Sequence, residues 1–163
     1  MKKGTITVIS TIAGILGGVL GHKYLIGNKR NSVSEAEKFK LYYHMLNQWL
    51  YLKENGKTLK SYFIENAYKS IAIYGMGEIG THLYKELKGT GIEIKYVVDK
   101  TAVPENPEIN IINTLENLED ADVIVVTPIF AFDEIEKELR QKVTLPIIYL
   151  EEINYEIYVQ DIN

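Results

Sequence analysis

The sequence predicts an α/β chain: a parallel sheet of about five strands in the order 3-2-1-4-5, preceded by a transmembrane helix and a linker helix. Three observations carry this reading. Residues 71–80 read IAIYGMGEIG, a short apolar run that breaks into regularly spaced glycines. Beyond them, apolar runs of strand length alternate with amphipathic segments, the pattern of parallel strands joined by crossover helices. Before them, Gly4 to Gly21 contain no charged residue, a composition suited to a membrane interior.

At 163 residues, 46% apolar and 25% charged, the chain has room for one domain and a short accessory segment. The absence of cysteine excludes a disulfide framework, a thiolate zinc site and a cysteine nucleophile. His22, His44 and His82 are too scattered to suggest a metal cluster, and no metal is expected. The net charge of −4 hides an asymmetry. Residues 1–70 carry eleven Lys/Arg against four Asp/Glu, a balance of +7, and residues 71–163 carry seven against eighteen, a balance of −11. An acidic second half argues against nucleic acid, whose phosphates it would repel. The basic first half, beside an apolar stretch, suits anionic lipid.

Residues 1–27 are expected to form the membrane anchor. His22 and Lys23 interrupt the apolar stretch, but Tyr24, Leu25 and Ile26 extend it, and a lysine near a helix end can reach the headgroups. Ile6 to Ile26 thus reads as one span. A cleaved signal peptide is the rival reading, with Lys2 and Lys3 ahead of it and Val19-Leu20-Gly21 as the cleavage site. Two points favour the anchor. The apolar character continues past that site, and the following domain carries a motif whose usual ligands are made inside the cell. Lys23, Lys29, Arg30, Lys38 and Lys40 follow the span, a bias that places the soluble part in the cytoplasm, anchored by a single pass. Gly14/Gly18 and Gly17/Gly21 also fit a helix-pairing spacing.

Residues 28–68 are read as a helical linker. Ser34 with Glu37 fits a capping box, with Ser32 and Glu35 as a second option. The helix runs to about Glu54 and ends at Asn55-Gly56. Ala36, Phe39, Tyr43, Leu46 and Leu50 recur at 3-4 spacing, widened by Tyr42 and Trp49, and are expected to pack on the next domain. A homodimer through this 34–54 helix is the alternative, because the same spacing is that of a coiled-coil seam. A short helix after Thr58 should turn Leu59, Tyr62 and Phe63 to one side.

Residues 69–152 carry the main argument. Ile71 to Tyr74 is strand-like, and Gly75, Gly77 and Gly80 complete G-x-G-x-x-G. THLYKELKGTG then reads as a helix, with Ile79, Leu83 and Leu87 on one face. A second strand, IEIKYVVD, ends at Asp99, nineteen residues beyond Gly80. Strand, glycine turn, helix, strand and terminal acid make up the dinucleotide-binding fingerprint, so the sheet is read as Rossmann-like. Gly75 permits the tight turn, Gly77 lets a pyrophosphate approach the helix N-terminus, and Gly80 lets helix and sheet pack closely. Met76, Glu78 and Ile79 belong to the same loop. Free amides and the positive end of the helix dipole attract phosphate there. Asp99 would accept hydrogen bonds from ribose hydroxyls and repel a 2′-phosphate, favouring NAD over NADP, although adjacent Lys100 softens that preference.

Ile109 to Ile112 reads as a third strand with TLENLED as a brief helical return, and Val123 to Thr127 as the fourth. FDEIEKELRQK is an amphipathic helix with Ile135 and Leu139 inward, and Pro146 to Leu150 is the fifth strand. Thr127 and Pro128 fall at the lip of the fourth strand, where open α/β sheets bind ligands. In the tail, residues 153–163, alternating Ile153, Tyr155, Ile157 and Val159 suit an edge strand or an interface.

From IAIYGMGEIG through IEIKYVVDK to INIINTLENLEDADVIVVTPIFAFDEIEKEL, the chain resembles small Rossmann-like domains of bacterial surface-polysaccharide biosynthesis proteins. It is similar to the C-terminal domain of sugar C-methyltransferases and, more distantly, to the N-terminal domain of sugar acyltransferases. The resemblance implies a nucleotide site at Gly75, Gly77, Gly80 and Asp99, for NAD or a nucleotide-sugar. The sequence departs in having no methyltransferase domain and no acyltransferase repeat, so activity does not carry over.

A search for catalysis finds Tyr-x-x-x-Lys twice, at Tyr84/Lys88 and Tyr96/Lys100, but neither lies on a helix after the fourth or fifth strand. His82 suits helix packing, Glu78 a first-turn acid, and Glu151 and Glu152 a solvated tail. With no acid–base pair, the first expectation is a membrane-anchored module that binds a nucleotide or nucleotide-sugar without catalysis, in surface-polysaccharide assembly. An NAD-dependent oxidoreductase or epimerase of sugar nucleotides, and an NAD-sensing regulator, are the alternatives.

Overall fold

The structure, a computed structural model, describes residues 34–101, 109–116, 118 and 120–162. The anchor, its glycine pairs, the cleavage site and Ser32 lie outside the described residues. Among the described residues, no helix is long and apolar enough to cross a membrane.

Helix α1 (Glu35–Glu54) begins at the expected capping box. The Ser34 amide and hydroxyl both donate to Glu37 Oε2, at 2.9 Å each, and the Glu37 amide returns a bond to Ser34 Oγ at 3.3 Å. It ends where a left-handed residue must follow. Gly56 has φ of 70°, its amide donates to the Lys53 carbonyl, and the Lys57 amide donates to that of Leu52. That paired closure satisfies two carbonyls the helix would otherwise leave open. Helix α2 (Lys60–Glu65) follows, with Leu59, Tyr62 and Phe63 buried as expected.

The five-stranded sheet has the order 3-2-1-4-5: β1 (Ser70–Tyr74), β2 (Glu93–Val98), β3 (Ile111–Ile112), β4 (Val123–Val126) and β5 (Ile147–Tyr149). Every pairing is parallel. Between β1 and β2 runs α3 (Glu78–Leu87), and between β4 and β5 runs α4 (Phe132–Leu139), entered through a single 3-10 turn at Ile129–Ala131. The third strand shrinks to two residues. TLENLED is not helical where it is described, although Leu115 is still buried.

Strand alternation sends the side chains to two cores. Ile71, Ile73, Val97, Val123 and Val125 meet α1, α2 and α3 on one face. Ala72, Tyr74, Tyr96, Val98, Ile124 and Val126 meet α4 on the other. From Phe39 onward the chain is one compact unit.

Two further expectations are corrected. Residues 150–162 form helix α5 (Leu150–Ile162), not an edge strand. The alternation of Ile153, Tyr155, Ile157 and Val159 is incidental, because Leu150, Ile153, Asn154 and Ile157 are the buried positions, spaced by three, one and three. That is one helical face. The second correction concerns α1. Its buried residues are Met45, Trp49 and Leu52, whereas Phe39, Tyr43, Leu46 and Leu50 are 74%, 58%, 40% and 56% exposed. The two stripes lie roughly 120° apart at 100° per residue. Periodicity shows that each stripe is a face but not which one docks, and the choice is made by long-range contacts. Trp49 Nε1 donates to Glu86 on α3 at 2.7 Å, and the Asn154 side-chain amide on α5 donates to the Met45 carbonyl at 2.9 Å.

Candidate functional site

The fold brings the glycine loop, the end of β2 and the end of β4 together at the C-terminal edge of the sheet. β1 lies between β2 and β4 there, so this is the point at which the strand order reverses.

Gly75 leaves β1 with φ of 94°. A Cβ here would stand 2.8 Å from Thr127 Oγ1 and 2.9 Å from the Pro128 ring, so both the turn and the neighbouring strand require glycine. Its amide donates to the Val98 carbonyl at 2.8 Å. A Cβ on Gly80 would collide with the Gly75 carbonyl oxygen, so the first turn of α3 lies directly on the turn out of β1. Gly77 differs from both. It precedes α3 with ordinary extended geometry, φ −64° and ψ −169°, and nothing lies within 4 Å of where its Cβ would be.

No side chain caps α3 at Gly77. The amides at the start of a helix have no partner within it, and they carry its partial positive charge. Glu78 is exposed in that first turn, where its carboxylate is favourable to the helix and competes with any bound anion. Ile79 turns inward against the core.

Asp99 is already engaged. Its Oδ2 accepts the Met76 amide at 2.7 Å, and its Oδ1 accepts the Thr101 amide and hydroxyl at 2.8 and 3.0 Å. The acid therefore holds the glycine loop to the end of β2. Thr127 is buried, and its hydroxyl lies 3.1 Å from the Tyr74 carbonyl and 3.0 Å from that of Gly75. One proton is shared between two carbonyls. Thr127 thus ties β4 to the turn from beneath, with Pro128 packed over Gly75.

Lys100 points toward α4 and is held by both oxygens of Glu138, at 2.8 and 3.0 Å. That hydrogen bond raises the Lys100 pKa above its ordinary value. Close by, burial raises the Tyr74 hydroxyl, opposed by Lys100 and reinforced by Glu138 and Asp99.

All ten residues expected at the site, Gly75 to Gly80, Asp99, Lys100, Thr127 and Pro128, thus belong to this edge, although Lys100, Thr127 and Asp99 serve neighbouring groups. His82 stands apart, exposed with its ring edge-on to Trp49 at 6.5 Å. Sequence reasoning missed Glu86. Its side chain is 3% exposed and accepts Trp49 Nε1, the Leu59 amide at 2.7 Å and Lys53 at 3.0 Å. Nothing local marks it, because Lys85-Glu86 reads as an ordinary polar helix edge.

A family model described as D-isomer specific 2-hydroxyacid dehydrogenase, NAD binding domain, matches residues 37–131, more than half of the chain. The matched span takes in α1 from Glu37 onward, α2, the β1–α3–β2 unit, β3 and β4. No curated protein and no solved structure matches.

Proposed function

The chain belongs to the family described as D-isomer specific 2-hydroxyacid dehydrogenase, NAD binding domain, and on that footing we propose that it binds NAD(H) at the C-terminal edge of the sheet, with the pyrophosphate against the N-terminus of α3. It is a nucleotide-binding Rossmann domain by family and by topology. The observation that carries the proposal is the uncapped start of α3 behind Gly77, where the space beside the backbone is open. A diphosphate would receive the first-turn amides there.

Asp99 follows β2 at this edge, the place from which an acid meets a ribose hydroxyl in this fold. Lys100 is neutralised by Glu138, which favours a free 2′-hydroxyl over a 2′-phosphate. When bound, the nicotinamide supplies hydride exchange. Asp99 and Thr127 hold backbone at this edge, and the reading is of binding without turnover by this chain's own groups. A nucleoside diphospho-sugar presents the same pyrophosphate and ribose, so it enters the same test.

The proposal extends to the setting. The uncharged Gly4–Gly21 stretch and the lysines after it support tethering to the cytoplasmic face of a bacterial membrane. The surface-polysaccharide role rests on the resemblance of residues 69–152 alone.

The test is calorimetry and thermal shift on the full chain in mild detergent, with NAD, NADH, NADPH and nucleotide sugars. NADH should stabilise the protein, and NADPH should do so less. Gly77→Val should lose the effect while melting like the parent without ligand. A folded protein indifferent to every ligand would overturn the reading, and a response to nucleotide sugars alone would replace NAD with that class.

A further inference from the structure

Lys100 follows the acid that ends β2 and precedes a long stretch without positive charge. No Lys or Arg occurs between Lys100 and Lys137, so β3, β4 and the turn after β4 bring none to this edge. In the glycine loop and the first turn of α3 the charged side chain is Glu78, an acid. Lys100 is therefore the cation that the sequence sets beside the end of β2, where a basic group in this fold receives a ribose 2′-phosphate.

Its ammonium is turned to α4 instead. Both oxygens of Glu138, in the last turn of that helix, hold it at 2.8 and 3.0 Å. The partners are 38 positions apart, so the hold is tertiary, unlike the i,i+4 contact of Arg140 with Glu136. The two side chains are 52% and 44% exposed. A pair that open contributes little to folding, yet it decides where the ammonium stands.

We propose that Glu138 sets the nucleotide preference of this site. By holding Lys100 against α4, it withholds from a 2′-phosphate the cation beside the end of β2. The role rests on the reading that NAD(H) binds at this edge, and it gives the choice between NADH and NADPH to a residue outside the glycine fingerprint.

The charges around Lys100 agree. The Tyr74 hydroxyl, at the end of β1, feels Lys100, Glu138 and Asp99 together, so one cation stands among two acids. A phosphate monoester brings about two negative charges at neutral pH and three acceptor oxygens. Asp99, Lys100 and Glu138 meet it with a net negative charge. Asp99 directs its own charge at the Met76 and Thr101 amides and the Thr101 hydroxyl, which weakens its repulsion of a phosphate. Without the Glu138 carboxylate the three positions are neutral, and the flexible lysine stem is released to turn toward the nucleotide.

The test measures dissociation constants of NADH and NADPH by their own fluorescence, on the full chain in mild detergent. Glu138→Gln keeps the size of the side chain, removes its charge and should melt like the parent. It should tighten NADPH roughly tenfold, while NADH moves by less than about twofold. Glu138→Ala, which removes the acceptor as well, should gain at least as much. Adding Lys100→Ala to Glu138→Gln should cancel the gain. Glu134→Gln takes an equal charge from the first turn of α4 and should leave the ratio of the two constants at its parental value. An unchanged ratio in both Glu138 variants, an equal gain in Glu134→Gln, or a gain that survives Lys100→Ala would each overturn the role of Glu138 while NADH binding stands. A parent that binds neither dinucleotide would overturn it together with the cofactor reading, so the two failures are told apart.

Discussion

Gly77 and Gly80 stand three residues apart in one loop, yet their missing side chains serve different ends. Gly80→Ala drives a methyl into the Gly75 carbonyl and should destabilise the fold by about 3 kcal/mol. Gly77→Ala meets nothing, and should change stability by less than about 0.5 kcal/mol while weakening NADH binding about tenfold. Denaturant titration and calorimetry on the two variants separate a packing glycine from a ligand-facing one. A residue-scale gain is available at Ala67, which closes α2 with φ of 59°. Its amide donates to the Ile64 carbonyl and the Tyr68 amide to that of Phe63, the same closure Gly56 makes for α1. Left-handed backbone costs a residue with a Cβ about 1 kcal/mol. Ala67→Gly should therefore stabilise the protein by up to that amount in urea unfolding.

Between elements, the joints are made by two acids that local sequence does not announce. Glu86 gathers α1, the start of α2 and α3 around one buried carboxylate. Glu86→Ala leaves the Trp49 ring N–H and the Leu59 amide without their acceptor, and should cost about 3 kcal/mol in chemical denaturation. Glu86→Gln, which keeps one acceptor oxygen, should cost less. Asp122 stitches the start of β4 to that of β1 by accepting the Lys69 and Ser70 amides, both at 2.7 Å. These two bonds, that of Ser70 first, lower its pKa. The folded value lies below the unfolded one. Its contribution is therefore complete above the ordinary carboxylate range and is lost as pH falls through the lowered folded value. Glu156 on α5 has the opposite sign, because desolvation, then Glu152 and Glu65, raise its carboxyl. Its ionisation costs stability as pH rises from the ordinary carboxylate range through the raised value. Stability measured against pH should show Asp122→Asn destabilising at neutral pH with a difference that closes in acid. Glu156→Gln should stabilise at neutral pH, and that gain should also close in acid.

At the scale of the whole molecule, binding and folding are linked: at one hundred times its dissociation constant, NADH should add about 2.7 kcal/mol. For a chain of this size that raises the melting temperature by roughly 5–10 °C. The strand order, the glycine loop and the acid ending β2 were legible in the sequence because each is written within a few consecutive residues. Periodicity found the helices after Thr58 and after β4 for the same reason. What stayed hidden depends on residues distant in sequence: the docked face of α1, chosen by Glu86 and Asn154; the helicity of residues 150–162, set by burial against α1 and α2; and the prior engagement of Asp99 and Thr127 with the loop they were expected to leave free. The contact between Asn154 and Met45 spans 109 positions. On a ribosome adding about 5–20 residues per second, Met45 emerges about 5–20 s before the Asn154 that binds its carbonyl. During that interval the nascent chain presents both apolar faces of α1 at once, the span in which a chaperone has the most to shield.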